Sequence, residues 1–283
     1  MRNAGTGMRD AERGMRDATV LKLGGELLDD PAGMRGVAVA VTALAKQGPL
    51  VVVHGGGRAI DAELRARGRE PRFVDGLRIT DAAALDVAVS VLAGRNNTAF
   101  VAALYTAGTR AVGLTGADAG IGLLSRAASV ISATGETVDL GLVGQPSSAS
   151  ADLIVDLTRL GYVPVIASIG VSDEGELLNV NADTLAGHLA GVLGARRLII
   201  AGGTAGVLDA DGISIAELSV SRLNAMIASG TAHSGMVAKL SACKAAMARG
   251  VRDVSIVSGL GIGNFDTAEG TRLSMNKMET LSA

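Results

Sequence analysis

Short β-branched, apolar runs alternate with longer alanine- and leucine-rich stretches along most of the 283 residues. Thr19 to Leu23, Pro49 to His54, Ala111 to Thr115, Val163 to Ser168, Arg197 to Ala201 and Asp253 to Val257 predict strands. The gaps carry helical periodicity. Leu185, Leu189 and Leu193 recur at i+4 steps over Asp183 to Leu193, and Met236, Leu240, Cys243 and Met247 form one stripe over Gly235 to Arg249. Both stripes predict core packing. Strands that read as continuous apolar runs must be covered on both faces, and strands separated by helices pair in parallel. The predicted class is α/β, a three-layer αβα sandwich with a mainly parallel central sheet.

Two segments interrupt the alternation. Ala128 to Gln145 holds two strand-like pieces around Thr134-Gly135, an excursion from the main sheet, and Asp173-Glu174-Gly175 separates Pro164 to Gly170 from Leu177 to Val180 as a second hairpin. A soft boundary falls near 170 to 180, dividing the chain into 19–175 and 176–283 around one shared sheet. Residues 1–18 repeat Gly-Met-Arg-Asp and lack an apolar core, so they predict a flexible leader and not a signal peptide. No run is expected to be both long and charge-free enough to span a bilayer, which points to a soluble, cytoplasmic protein.

A formal net charge of -2 gives no electrostatic basis for binding nucleic acid or an anionic membrane. Cys243 is the single cysteine, which excludes an intramolecular disulfide and any multi-cysteine metal site. Only Lys22, Lys46, Lys239, Lys244 and Lys277 are lysines, the other basic residues being arginine. A lysine retained in such a chain suits a place where a compact point charge is needed, as around a reacting phosphate.

The candidate chemistry gathers at glycines. Val51 to Asp61, VVVHGGGRAID, sets His54-Gly55-Gly56-Gly57 between a strand and a helix start. No lysine follows a glycine, which excludes a P-loop; Ile60 stands where a dinucleotide fingerprint needs its third glycine; and no GxSxG accompanies the HGGG-like run, which excludes the hydrolase oxyanion loop. What remains is a turn whose bare amides suit an anion, or a glycine-rich turn that binds nothing. Lys22-Leu23-Gly24-Gly25 follows the first strand in the same way, so both turns emerge at strand carboxyl ends, where ligands of open α/β folds bind.

Together with Gly76-Leu77-Arg78-Ile79-Thr80-Asp81, Val112-Gly113-Leu114, Pro164 to Gly170, Asn179-Val180-Asn181-Ala182-Asp183, and Gly235-Met236 followed by Lys239, these stretches resemble the amino-acid kinase family, and within it the acetylglutamate kinases. The resemblance covers about Val20 to Gly259. It implies phosphorylation of the side-chain carboxylate of N-acetyl-L-glutamate by ATP, with Mg²⁺ carried on the nucleotide phosphates and no dedicated metal cage, in a homodimer or an assembly of dimers. It assigns catalysis to Lys22 and Lys239, held by Asp183; substrate binding to Gly56, Gly57, Arg78 and Asn179; and phosphate or nucleotide binding to Gly24, Gly25, Gly202, Gly203, Thr204 and Gly206. The substrate lobe would be 19–175 and the nucleotide lobe 176–283. On local sequence alone, Asp183 reads as a helix cap.

One departure stands out. Family members usually carry a Thr-Asp pair after the strand at Arg197 to Ala201; Gly202 and Gly203 stand there, so the acidic group is missing on the nucleotide side. Two alternatives stay open: a kinase acting on another acylated amino acid or carboxylate, and a substrate-binding homologue without turnover.

Overall fold

The computed structural model describes residues 15–275 apart from 133, 210 and 231–233. Most of the expected leader, together with His233 and Lys277, lies outside the described residues; Met15 and Ala18, at its end, are buried in the core.

In chain order the strands are β1 (Thr19–Leu23), β2 (Leu50–His54), β3 (Phe73–Val74), β4 (Leu77–Arg78), β5 (Ala111–Thr115), β6 (Leu123–Arg126), β7 (Val130–Ile131) and β8 (Thr137–Val138). They continue as β9 (Val143–Ser148), β10 (Val163–Ala167), β11 (Ile169–Val171), β12 (Leu177–Val180), β13 (Arg197–Gly202), β14 (Glu217–Ser219), β15 (Asp253–Ser258) and β16 (Gly270–Ser274). The α-helices are α1 (Pro31–Ala45), α2 (Gly57–Ala66), α3 (Ala82–Val89), α4 (Asn97–Thr106), α5 (Asp152–Arg159), α6 (Ala182–Val192), α7 (Val220–Ala228) and α8 (Ser234–Ala248).

An eight-stranded sheet in the order β14-β16-β15-β13-β1-β2-β10-β5 forms the centre. It is parallel from β15 to β5, and β16 joins β15 antiparallel. Strand alternation builds the layers. Leu21, Leu23, Val52, Ile199 and Ala201 face α1 and α4, while Val20, Val53, Leu198 and Ile200 face α6 and α8. Lys22 shares the face of Val20, two residues nearer the strand's carboxyl end, and so points at the start of α6.

The two interruptions are small-sheet elements. The strands β11-β12-β9-β6 close on themselves, and β7 pairs with β8 beyond them. The run Pro164 to Gly170 is not one strand: it breaks at Ser168, leaving β10 in the main sheet and β11 in the small one.

The expectation that no stretch could span a bilayer requires correction. Ala82–Thr106 is one continuous helical run of 25 residues, long and apolar enough by length and composition. Its apolar side is accounted for by packing: Val87, Val91, Leu92, Phe100 and Leu104 are buried, as are the polar Asn96 and Asn97. Its middle, Ser90–Asn96, is a π-helical turn, a feature common near functional sites.

Candidate active site

The two glycine turns meet at the carboxyl ends of β1 and β2. A Cβ on Gly25 would stand 2.5 Å from Cα of Gly56, so only glycine permits this approach of backbones. A Cβ on Gly56 would in turn meet Leu92 and Asn96 at 2.7 and 2.8 Å, side chains delivered by the π-helical turn. Gly56 supplies no side-chain cap to α2, so the first N–H groups of that helix remain available to an anion.

Below the turns lies a buried ion cluster. Lys22 Nζ is 2.9 Å from Asp183 Oδ1, both side chains being less than a tenth exposed, and Lys239 Nζ is 3.8 Å from Asp183 Oδ2. One carboxylate therefore serves two ammonium groups that arrive from β1 and α8. The helix cap is a different residue: Asn181 Oδ1 accepts from the N–H groups of Asp183 and Thr184 at 2.9 and 3.1 Å. That corrects the local reading of Asp183 as a cap.

Lys22, Gly56, Gly57, Arg78, Asn179 and Asp183 line one cavity of about 280 Å³. Arg78 Nη2 is ion-paired with Asp61 Oδ1 at 2.7 Å and donates to the Gly57 carbonyl at 3.2 Å, and its guanidinium lies 4.7 Å from the Phe73 ring centre. Its Nη1 is buried and has no hydrogen-bond partner among the described residues. Asn179 Nδ2 donates to Thr80 Oγ1 at 3.3 Å. The pairing of β11 with β12, Asn179 opposite Ile169, carries it to the cavity wall.

Behind the turn, His54 is fully buried, and burial pulls its imidazole down to about 4. Nδ1 faces the Gly55 carbonyl and Nε2 faces Asn97 Nδ2, both at 3.1 Å. A carbonyl only accepts and an amide nitrogen only donates, so one neutral tautomer satisfies both contacts. Asn97 is anchored further on the Val165 carbonyl at 2.9 Å.

The nucleotide-side glycines divide. A Cβ on Gly202 would lie 3.6 Å from Lys239 Cε and one on Gly24 would lie 2.5 Å from the Glu26 carboxylate oxygens, and the Gly203 N–H donates to Glu26 Oε1 at 2.8 Å. Thr204 is exposed. Gly206, at φ 100°, packs on Thr271, where a Cβ would lie 2.6 Å from Oγ1. Glu26, Asp61, Asn97 and Asn181 were not singled out from the sequence. Asn97 carried a readable signal as a polar residue inside an apolar helical run, and Asn181 as a residue type that caps helices.

A parallel α/β sheet with two ammonium groups on a shared carboxylate, beside glycine amides and a guanidinium, defines a protein that brings anions together. The chain belongs to the amino acid kinase family, whose model matches residues 17–258. It is 40% identical over 245 residues to the acetylglutamate kinase of Sphingopyxis alaskensis, covering 85% of this chain and 81% of that one. It is 42% identical over 212 residues to the acetylglutamate kinase of Symbiobacterium thermophilum, covering 74% and 72%. Among solved structures, the N-acetylglutamate synthase of Neisseria gonorrhoeae, complexed with coenzyme A and N-acetyl-glutamate, superposes with a TM-score of 0.79 at 21% identity. That match covers 95% of this chain and 62% of the other, and it speaks for the fold.

Proposed function

We propose that this chain transfers the γ-phosphoryl group of ATP to the side-chain carboxylate of N-acetyl-L-glutamate, an acetylglutamate kinase reaction of arginine biosynthesis. The observation that carries the reading is the placement of Lys22 and Lys239 on the two oxygens of Asp183 beside the paired glycine turns. Two relatives of that name, at 40 and 42% identity, support it.

The chemistry follows from the charges. A glutamate-type carboxylate is ionised near neutral pH, so one of its oxygens attacks the γ-phosphorus without a general base. The new bond is carboxylate oxygen to phosphorus, the broken bond joins that phosphorus to the β–γ bridging oxygen, and ADP leaves with the electron pair. The difficulty is bringing two anions together and stabilising the charge on the transferring group. In this reading Lys22 and Lys239 face that group from its two sides, and Asp183 fixes both ammonium groups before substrate arrives, which lowers the cost of organising them. The amides of Gly24, Gly25, Gly56 and Gly57 line the path. The free Nη1 of Arg78, with Asn179, receives the substrate's α-carboxylate, a planar acceptor suited to a guanidinium. Gly202, Gly203, Thr204 and Gly206 border the nucleotide.

No cluster of three or more His, Cys, Asp or Glu side chains able to hold a metal occurs among the described residues. In this reading a magnesium ion enters on the nucleotide phosphates and keeps most of its own ligands. When bound, the ion would neutralise phosphate charge. A homodimer and a cytoplasmic location complete the proposal, with 19–175 as the substrate lobe and 176–283 as the nucleotide lobe.

The test is trapping of acyl phosphate as hydroxamate in the presence of ATP and Mg²⁺. Product with N-acetylglutamate, and none with glutamate or aspartate, is the expected result. Saturable binding of N-acetylglutamate without hydroxamate would overturn the kinase reading in favour of a binding protein.

A further inference from the structure

The turn after β13 has an acidic neighbour brought from elsewhere in the chain. Glu26 follows the first glycine turn, and its Oε1 accepts from the Gly203 N–H at 2.8 Å, across 177 positions of sequence. Two glycines, Gly24 and Gly202, lie tight against that carboxylate, and Gly203 is in ordinary contact with its side chain. A Cβ on Gly24 would stand 2.5 Å from both of its oxygens, one on Gly202 would stand 3.1 Å from Oε1, and one on Gly203 would lie 3.5 Å from Cγ. The same Cβ on Gly202 would lie 3.6 Å from Cε of Lys239. Glu26 also lines the cavity that contains Lys22 and Asp183. Its second oxygen, Oε2, has no hydrogen bond or ion pair to any described residue.

A half-buried carboxylate with one oxygen fixed and the other unused is poorly suited to meet a polyphosphate, since both are anions. A divalent cation between them reverses the sign of that contact. Magnesium takes hard oxygen ligands, often one carboxylate together with substrate phosphates and several waters. We propose that Glu26 is the protein's contact to the magnesium ion of the nucleotide, through Oε2 directly or through one of the ion's waters, while the Gly203 amide holds Oε1. Gly24 and Gly202 are then the clearance for this carboxylate. The inference rests on the ATP-dependent reading of the site but not on the identity of the acyl acceptor.

The test compares the full chain with Glu26→Gln and Glu26→Ala. Mn²⁺ replaces Mg²⁺ as probe, and its complex with ADP is followed by water-proton relaxation, with calorimetry of metal-free ADP alongside. Glu26→Gln is expected to weaken Mn²⁺·ADP binding by about tenfold, the scale of losing an outer-sphere partner of a bound metal. It should leave metal-free ADP binding unchanged or tighter. Equal weakening of both forms would assign Glu26 to holding the Gly203 loop and overturn the proposal, as would affinities within about twofold of the parent. Thermal melts confirm that each variant is folded. Parent protein that binds Mn²⁺·ADP through Glu26 yet forms no acyl hydroxamate from N-acetylglutamate would overturn the acceptor assignment and leave the Glu26 proposal standing.

Discussion

Asn181 caps helix α6 so that Asp183, two residues later, is free to hold two ammonium groups. The cap bonds run from the N–H groups of Asp183 and Thr184 to Asn181 Oδ1, while the Asp183 carboxylate lies on Lys22 and Lys239. The two roles separate experimentally. Asn181→Ala is expected to lower stability to urea by about 1 kcal/mol, the usual cost of a lost cap. Asp183→Asn keeps the side chain's shape and removes the shared charge, and turnover should fall about 10²-fold, the scale of a misplaced catalytic group. An Asp183→Asn enzyme with parental kcat would reject its role as organiser.

The two lysines should differ in what their loss does to the fold. Lys22 is 5% exposed and directly paired with Asp183, so Lys22→Ala leaves a buried carboxylate short of its near partner, at a cost of about 3 kcal/mol. Lys239 lies farther away, at 3.8 Å, and its side chain is 18% exposed. Lys239→Ala should leave the urea midpoint nearly unchanged. Both variants should lose kcat by orders of magnitude with small changes in KM for the acyl substrate. Equal destabilisation, or retained kcat in either variant, counts against this assignment.

Gly25→Ala tests the contact between the two turns. The added methyl would stand 2.5 Å from Gly56 Cα and 2.9 Å from Gly56 N, backbone atoms that cannot rotate aside. The turns must separate, and overpacking of this kind costs about 1–3 kcal/mol. With the glycine amides lining the transfer path as proposed, activity should fall further than stability alone requires. Gly36→Ala, where a Cβ meets nothing within 4 Å, is the control expected to leave kcat unchanged.

Most of the architecture was legible because a parallel sheet writes itself as apolar runs. Thr19 to Leu23, Ala111 to Thr115 and the other expected strands coincide with observed ones to within a residue or so. The break at Ser168 was not legible: β10 and β11 are both apolar, and only the pairing of Ile169 with Asn179 shows that the chain has changed sheets. Lys22, Arg78, Asn179 and Asp183 were found through motif order, and the cavity gathers them. Glu26 was missed because its partner, Gly203, is remote in sequence and contributes only a backbone N–H. Asn181 and Asp183 are both good caps by residue type, so the sequence alone could not divide their roles. The apolar run over Ala82–Thr106 hid two polar residues whose purpose, to press on Gly56 and to hold His54, lies in another part of the chain.

Arg78 is expected to govern substrate affinity. Asp61, the Gly57 carbonyl and the Phe73 ring hold its guanidinium, with Nη1 left over. Arg78→Lys keeps the charge but cannot span these partners and still offer a second donor. The KM for N-acetylglutamate should rise about tenfold or more, on the scale of a lost charge-assisted hydrogen bond, while the KM for ATP stays near its original value. A KM for N-acetylglutamate unchanged within twofold would remove Arg78 from the acyl site.

His54 gives the fold a defined acid sensitivity. Its imidazole is held down to about 4 against an ordinary 6.5, chiefly because burial disfavours the cation. Protonation at Nε2 would also set two donors, the ring and Asn97 Nδ2, against each other at 3.1 Å. The unfolded chain therefore binds the proton first, so stability contributed by neutral His54 is complete above about pH 6.5 and is lost as pH falls toward 4. The full span is on the order of 3 kcal/mol. Urea denaturation between pH 7.5 and 4.5 should show this slope in the parent chain, superimposed on the carboxylates' own titration. His54→Gln, which cannot take up the proton, should begin less stable at pH 7.5 and fall less steeply. Parallel pH profiles for the two proteins would show that His54 is not the group responsible.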